Sequence, residues 1–103
     1  MKENILEILN RIKNKYLNDP TISDEKDLIV ELFLQDIYEA INIINELDEN
    51  SLEWISSRFE ELSYKLQSKE FVTCVKNLLI KFPNNAILKQ DVKEAIEAYY
   101  GNK

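Results

Sequence analysis

The chain is predicted to be all-α, with about five antiparallel helices arranged as a compact bundle or as two stacked helical hairpins resembling an α-solenoid fragment. Apolar residues recur with a period of about 3.6 along nearly the whole sequence. One Gly and two Pro leave few positions for tight hairpins. No segment alternates apolar and polar residues with the period of two that a strand requires. At 103 residues, 45% hydrophobic and 31% charged, the chain reads as a single domain over residues 1–103 with enough apolar surface for one core.

The first helix spans residues 2–17, where Ile5, Ile8, Leu9, Ile12 and Tyr16 share one face. Turn formers in "NDPTISD" end it, and Ser23 or Asp24 is the expected cap of a second, longer helix over 24–47. That helix carries a wide apolar arc of Ile29, Val30, Phe33, Leu34, Ile37, Ala40, Ile41 and Ile44, flanked by Leu28, Leu32 and Ile43. "DENS" interrupts the pattern, with Asn50 or Ser51 as cap of a third helix over 52–66 whose stripe is Leu52, Ile55, Phe59, Leu62 and Leu66. Ser68 caps a fourth helix, "KEFVTCVKNLLIKF", which "PNN" stops. The fifth, "AILKQDVKEAIEAYY", buries Leu88, Val92, Ala95, Ile96 and Tyr99 and ends at Gly101.

The only cysteine, Cys74, has no partner for an internal disulfide, and no secretory leader pattern is visible. Charges or amides break every apolar run short of the roughly 18 residues a bilayer span needs. The expectation is a cytoplasmic protein without a membrane role. The net charge of -6 is uneven: residues 1–50 hold twelve acids and five bases, a net of -7, and residues 51–103 hold seven acids and eight bases, a net of +1. Such a balance argues against direct nucleic-acid binding, which needs Lys and Arg along a face, and favours a basic protein as partner.

The chemistry-bearing residues are few. The absence of histidine removes the commonest general base and the usual zinc or iron ligand. Cys74 lies near the edge of its helix's apolar face with no activating base and reads as a small, partly buried core residue. Asp27 and Glu31 share a helix face but lack the loop and glycine of a calcium site and the Glu-x-x-His pattern of diiron bundles. No catalytic residue, cofactor or metal is expected, and the chain reads as a non-enzyme.

The polar arc of the second helix is the candidate site: Asp24, Asp27, Glu31, Gln35, Tyr38, Glu39, Asn42 and Glu46. A tyrosine supplies contact area at low entropic cost, and surrounding carboxylates steer a cationic partner and pair with its Lys or Arg. The plainer reading of the same residues is a solvated face, with Tyr38 at the rim of the core. Trp54 is likewise open to two readings, packed by a neighbouring helix or exposed in a docking patch. Tyr64 and Tyr100 project away from their helices' main stripes.

Residues 47–85, "LDENSLEWISSRFEELSYKLQSKEFVTCVKNLLIKFPNN", followed by "DVKEAIEAYY", resemble the small helical immunity proteins of polymorphic toxin and contact-dependent growth inhibition systems. Trp54, "SRFEEL", "SKEF" and a helix ending in "KFP" carry the resemblance, over a little more than half the chain. The resemblance implies a bacterial, cytoplasmic protein, monomeric before complex formation, that binds a cognate toxin domain, often a nuclease, and blocks it. A nuclease needs a positive surface to hold phosphate, so an acidic helix imitating nucleic acid is its natural complement. The alternatives are a helical adaptor or antitoxin-like regulator of another basic protein, an enzyme using carboxylates and tyrosines alone, and a bacteriocin immunity bundle acting near the membrane. The enzyme would need a deep polar pocket, and the last is commonly more basic.

A mostly helical circular dichroism spectrum with a melt unchanged by chelator is the expected outcome; a large destabilisation by chelator would contradict the ligand census.

Overall fold

Seven α-helical segments follow one another through residues 1–100, the part of the chain that the computed structural model describes. They are α1 (Lys2–Lys13), α2 (Thr21–Gln35), α3 (Ile37–Glu46), α4 (Glu49–Ile55), α5 (Phe59–Leu66), α6 (Lys69–Lys81) and α7 (Ala86–Glu97). A 3₁₀ turn, Ser56–Arg58, joins α4 to α5 as one bent rod, so the described chain makes six rods and no strand. The protein is an all-α globule, with one rod more than the periodicity predicts.

The extra rod comes from the long second helix, which is two. Asp36 leaves the helical region (φ -153°, ψ 99°), and its carboxylate accepts the Glu39 N–H at 3.1 Å, capping α3. The apolar period runs through this break without a gap, which is why it reads as one helix. Separating the halves lets α2 pack on α1 and α5 while α3 packs on α6.

Other boundaries move for equally local reasons. The first helix ends at Lys13, where the Asn14 side chain donates back to the Asn10 carbonyl at 3.0 Å. Tyr16, expected on the buried face, therefore lies beyond the helix and is 89% exposed. The second starts at Thr21, before the expected Ser23 or Asp24 cap, because Asp19 accepts both the backbone N–H and the hydroxyl of Thr21, at 2.8 and 2.6 Å. Asp48, rather than Asn50 or Ser51, caps α4 by accepting the Ser51 N–H at 3.3 Å. Within the bent rod, the buried Ser56 hydroxyl turns to the Glu53 carbonyl and to Asp91 on α7, marking the 3₁₀ segment that interrupts the expected third helix. Ser68 caps α6 as expected, accepting the Phe71 N–H at 3.2 Å. Asn85 caps α7, which ends at Glu97; the expected stop at Gly101 lies outside the described residues.

One apolar cluster draws side chains from every helix, with Phe33, Phe59 and Phe71 fully buried and the last two edge to face at 6.2 Å. Ile37, beside the break, is only partly buried. The most extensive helix pair is α5 with α7. There the buried Ser63 hydroxyl donates to the Ala95 carbonyl at 2.6 Å, and two small side chains permit the close approach. Arg58, the last residue of the 3₁₀ turn, fastens α2 to the bent rod: its guanidinium pairs with Asp27 at 2.9 Å and donates to the Ser23 hydroxyl at 2.8 Å.

Phe59→Ala removes a fully buried ring and its aromatic partner contact, and should cost about 3 to 5 kcal/mol in urea unfolding; a loss below about 1 kcal/mol would mean that the site collapses without a cavity.

Acid sensitivity follows from three carboxyls held below their ordinary range: Asp48 by hydrogen bonding from Ser51, Glu61 by its bond from Lys65, and Asp19 by its bonds from Thr21. Because folding lowers these pKa values, their stabilisation is complete above the unfolded-state range and is lost as pH falls through the folded values. The urea midpoint should be flat near neutrality and fall below about pH 4. Asp48→Asn keeps a competent cap, so it should preserve neutral stability while flattening part of the acid limb; an unchanged acid limb would remove Asp48 from the account.

Candidate docking surface on the third helix

Helix α3 buries Ala40, Ile43 and Ile44 and turns Tyr38, Asn42, Asn45 and Glu46 outward, the opposite stripe at helical spacing. Tyr38, 69% exposed in the first turn, stands between two open grooves. One, of about 480 Å³, lies between the start of α1 and α3 and is lined by Lys2, Asp36, Glu39, Asn42 and Glu46 beside Tyr38. The other, of about 500 Å³, lies between α3 and α6 and is lined by Ile41, Asn45, Lys69, Glu70, Thr73, Cys74 and Asn77 beside Tyr38.

The first groove is acidic, but its acids already have partners. The Met1 ammonium lies 3.5 Å from Glu39, Lys2 pairs with Glu46, and Asp36 is occupied with the Glu39 N–H. The two ion pairs are solvent-exposed on at least one side, and such pairs contribute only about 0 to 1 kcal/mol, so an incoming cation can replace either at small cost. Among the described residues the second groove is lined by one cation, Lys69, and one acid, Glu70, and is otherwise uncharged. Burial pushes the Cys74 thiol up to about 11, leaving it protonated, with its sulfur 3.5 Å from the Asn45 side-chain oxygen. A protonated, hydrogen-bonded thiol is a poor nucleophile. Nearby, Lys81 donates to the Asn45 carbonyl at 3.3 Å, holding the C-terminal turn of α3.

Of the polar arc expected on one helix, Tyr38, Glu39, Asn42 and Glu46 meet here, on α3. Asp24, Asp27, Glu31 and Gln35 lie on α2, across the break, and line neither groove. Asp27 is committed to Arg58, so it is a tie between helices and not a spare surface charge. Asp24, Glu31 and Gln35 are exposed with no side-chain hydrogen bond or ion pair among the described residues. The periodic pattern misses Asp36, Asn45, Thr73 and Asn77. "DIYE" did carry a signal, since Asp followed three residues later by Glu is the signature of a helix start. The α6 contribution had no local signal.

Trp54 is half-buried and packed against the core, with the Lys26 ammonium 5.9 Å from its ring centre. Burial, and then the Arg58 charge, lower the pKa of Lys26. A further groove between α5 and α7 is lined by Glu60, Glu61, Tyr64, Glu94, Glu97 and Tyr100. It too escaped the sequence pattern, although "EELSY" and "EAYY" each set glutamate one helical turn before a tyrosine. Among the described residues no group of three or more His, Cys, Asp or Glu could hold a metal ion, and no helix is long and apolar enough to cross a membrane.

The architecture and these grooves define an all-α protein with open surface grooves. Compared with protein-family models, with curated proteins and with solved structures, the chain matches none.

Proposed function

We propose that this protein is a cytoplasmic immunity protein that binds a cognate basic toxin domain, a nuclease, and neutralises it by occupying the surface that holds nucleic acid. The observation that carries the reading is Tyr38: a tyrosine 69% exposed in the first turn of α3, with an acidic groove on one side and an amide-lined groove on the other. An exposed aromatic anchor ringed by polar groups is the composition of a binding hot spot. Its ring enters the partner's surface, Glu39 and Glu46 exchange their internal cations for the partner's Lys or Arg, and Asn42 and Asn45 add amide donors and acceptors. Asp24 and Glu31, free on α2, contribute longer-range attraction that speeds encounter and weakens with salt. The open form of the grooves also supports a docking role over an enzyme, which would enclose its substrate.

The test is binding to, and protection of cells from, a toxin domain encoded beside this chain. Tyr38→Ala should raise the dissociation rate at least about tenfold, as expected for the loss of a central anchor worth roughly 2 kcal/mol. Asp24→Lys combined with Glu31→Lys should slow association and reduce its salt dependence with little change in dissociation. Asp27 is left intact because a lysine there would face Arg58 and disturb the fold. If both folded variants bind and protect like the unsubstituted chain, the α3 surface is not the docking site. If no adjacent toxin domain binds and an endogenous basic protein does, the adaptor or antitoxin-like reading replaces this one.

A further inference from the structure

We infer that the groove between α5 and α7 is a second docking site, seating an arginine side chain of the basic partner against the rings of Tyr64 and Tyr100 and between the carboxylates of Glu60 and Glu97. The inference rests on the reading of the chain as a binder of basic proteins and adds a contact that shares no residue with the α3 grooves.

Charge complementarity selects the occupant. Among the described residues, four glutamates and two tyrosines line this groove of about 470 Å³, and neither lysine nor arginine does. Glu61 is satisfied internally, by Lys65 at 2.8 Å and Arg58 at 3.6 Å, and Glu94 accepts a hydrogen bond from Gln90 at 2.9 Å. Glu60 and Glu97 have no ion pair among the described residues, so two carboxylates on opposite helices are left to receive a cation. The rings are 56% and 53% exposed and stand edge to face, 5.9 Å apart at 83°. In that arrangement at least one ring keeps both faces clear of the other. A planar guanidinium stacks on such a face and donates in its own plane to carboxylates on either side, which an ammonium does less well.

The pair is also held in place. Gln67 ends α5 in the left-handed region (φ 46°), a conformation usually left to glycine. Its side-chain amide donates to the carbonyls of Tyr64 at 3.0 Å and Ala98 at 2.9 Å, and its oxygen accepts the Tyr100 N–H at 2.8 Å. One side chain thus bridges the backbone at both tyrosines and sets the spacing of the groove walls before any partner arrives.

The probe is a peptide of alternating glycine and arginine, titrated into the isotope-labelled full chain at roughly 50 mM salt, where surface charge is weakly screened. Amide shifts should concentrate at residues 60–64 and 94–100. Glu60→Gln with Glu97→Gln should weaken binding about tenfold, and Tyr64→Leu about fivefold, as expected for loss of charge-assisted bonds and of a cation–π contact. Glu3→Gln with Glu7→Gln removes the same charge from the exposed face of α1 and should change affinity less than about twofold. Substituting lysine for arginine in the peptide should weaken it about threefold or more. Shifts centred on α2 and α3, or equal losses in the two double variants, would overturn the proposal by showing that only net charge is read. If the peptide misses the groove while a toxin domain still binds in a Tyr38-dependent way, the second site alone falls.

Discussion

The close approach of α5 and α7 is the constraint on which the rest of the molecule depends. Ser63 and Ala95 are fully buried, and the hydroxyl of one donates to the main-chain carbonyl of the other at 2.6 Å. Larger side chains at either position would hold the helices apart. Because they do not, Phe59 and Leu62 reach the same cluster as Leu88 and Val92, and α7 also packs on α4, α6 and the 3₁₀ turn. The hydroxyl matters as well as the size: a buried serine without a partner would cost about 1 to 3 kcal/mol, and here its proton goes to an acceptor.

Charge is used in two ways on the acidic half of the chain. Part of it joins elements that the apolar core leaves free at their edges: Arg11 to Glu25 between α1 and α2, Arg58 to Asp27 between the 3₁₀ turn and α2, and Lys2 to Glu46 between α1 and α3. Exposed pairs of this kind contribute little stability individually and are screened by salt. Their effect is to bias orientation. Asp24 and Glu31, which have no ion pair among the described residues, supply the field that a basic protein would meet first.

Helix content and the identity of most core residues were legible in the chain because they depend on residues within one or two turns. Of the stripe predicted over residues 52–66, Leu52, Ile55, Phe59 and Leu62 are buried and Leu66 at its end is partly buried; Phe71, Val72, Val75 and Leu78 are buried as well, and the Ser68 cap forms as its chemistry dictates. Periodicity failed where two local signals competed. At Asp36 the apolar repeat favours continuing the helix, and the Asp-x-x-Glu pattern favours starting a new one; packing of α3 on α6 is available only to the second. Tyr16 failed similarly, since its helical spacing was real but the helix ended first.

What the sequence determined by itself was therefore one-dimensional: an all-α chain, which faces of its helices are apolar, and an excess of acid in its first half. Only the tertiary structure decided which acids remain available. It tied Asp27 to a residue 31 positions away, set the Met1 ammonium against Glu39, and brought Tyr64 beside Tyr100. The physical reason is the range of the interactions. Helix propensity, caps and periodicity act between residues a turn apart, whereas ion pairs and ring contacts between helices exist only after buried surfaces have chosen how those helices meet.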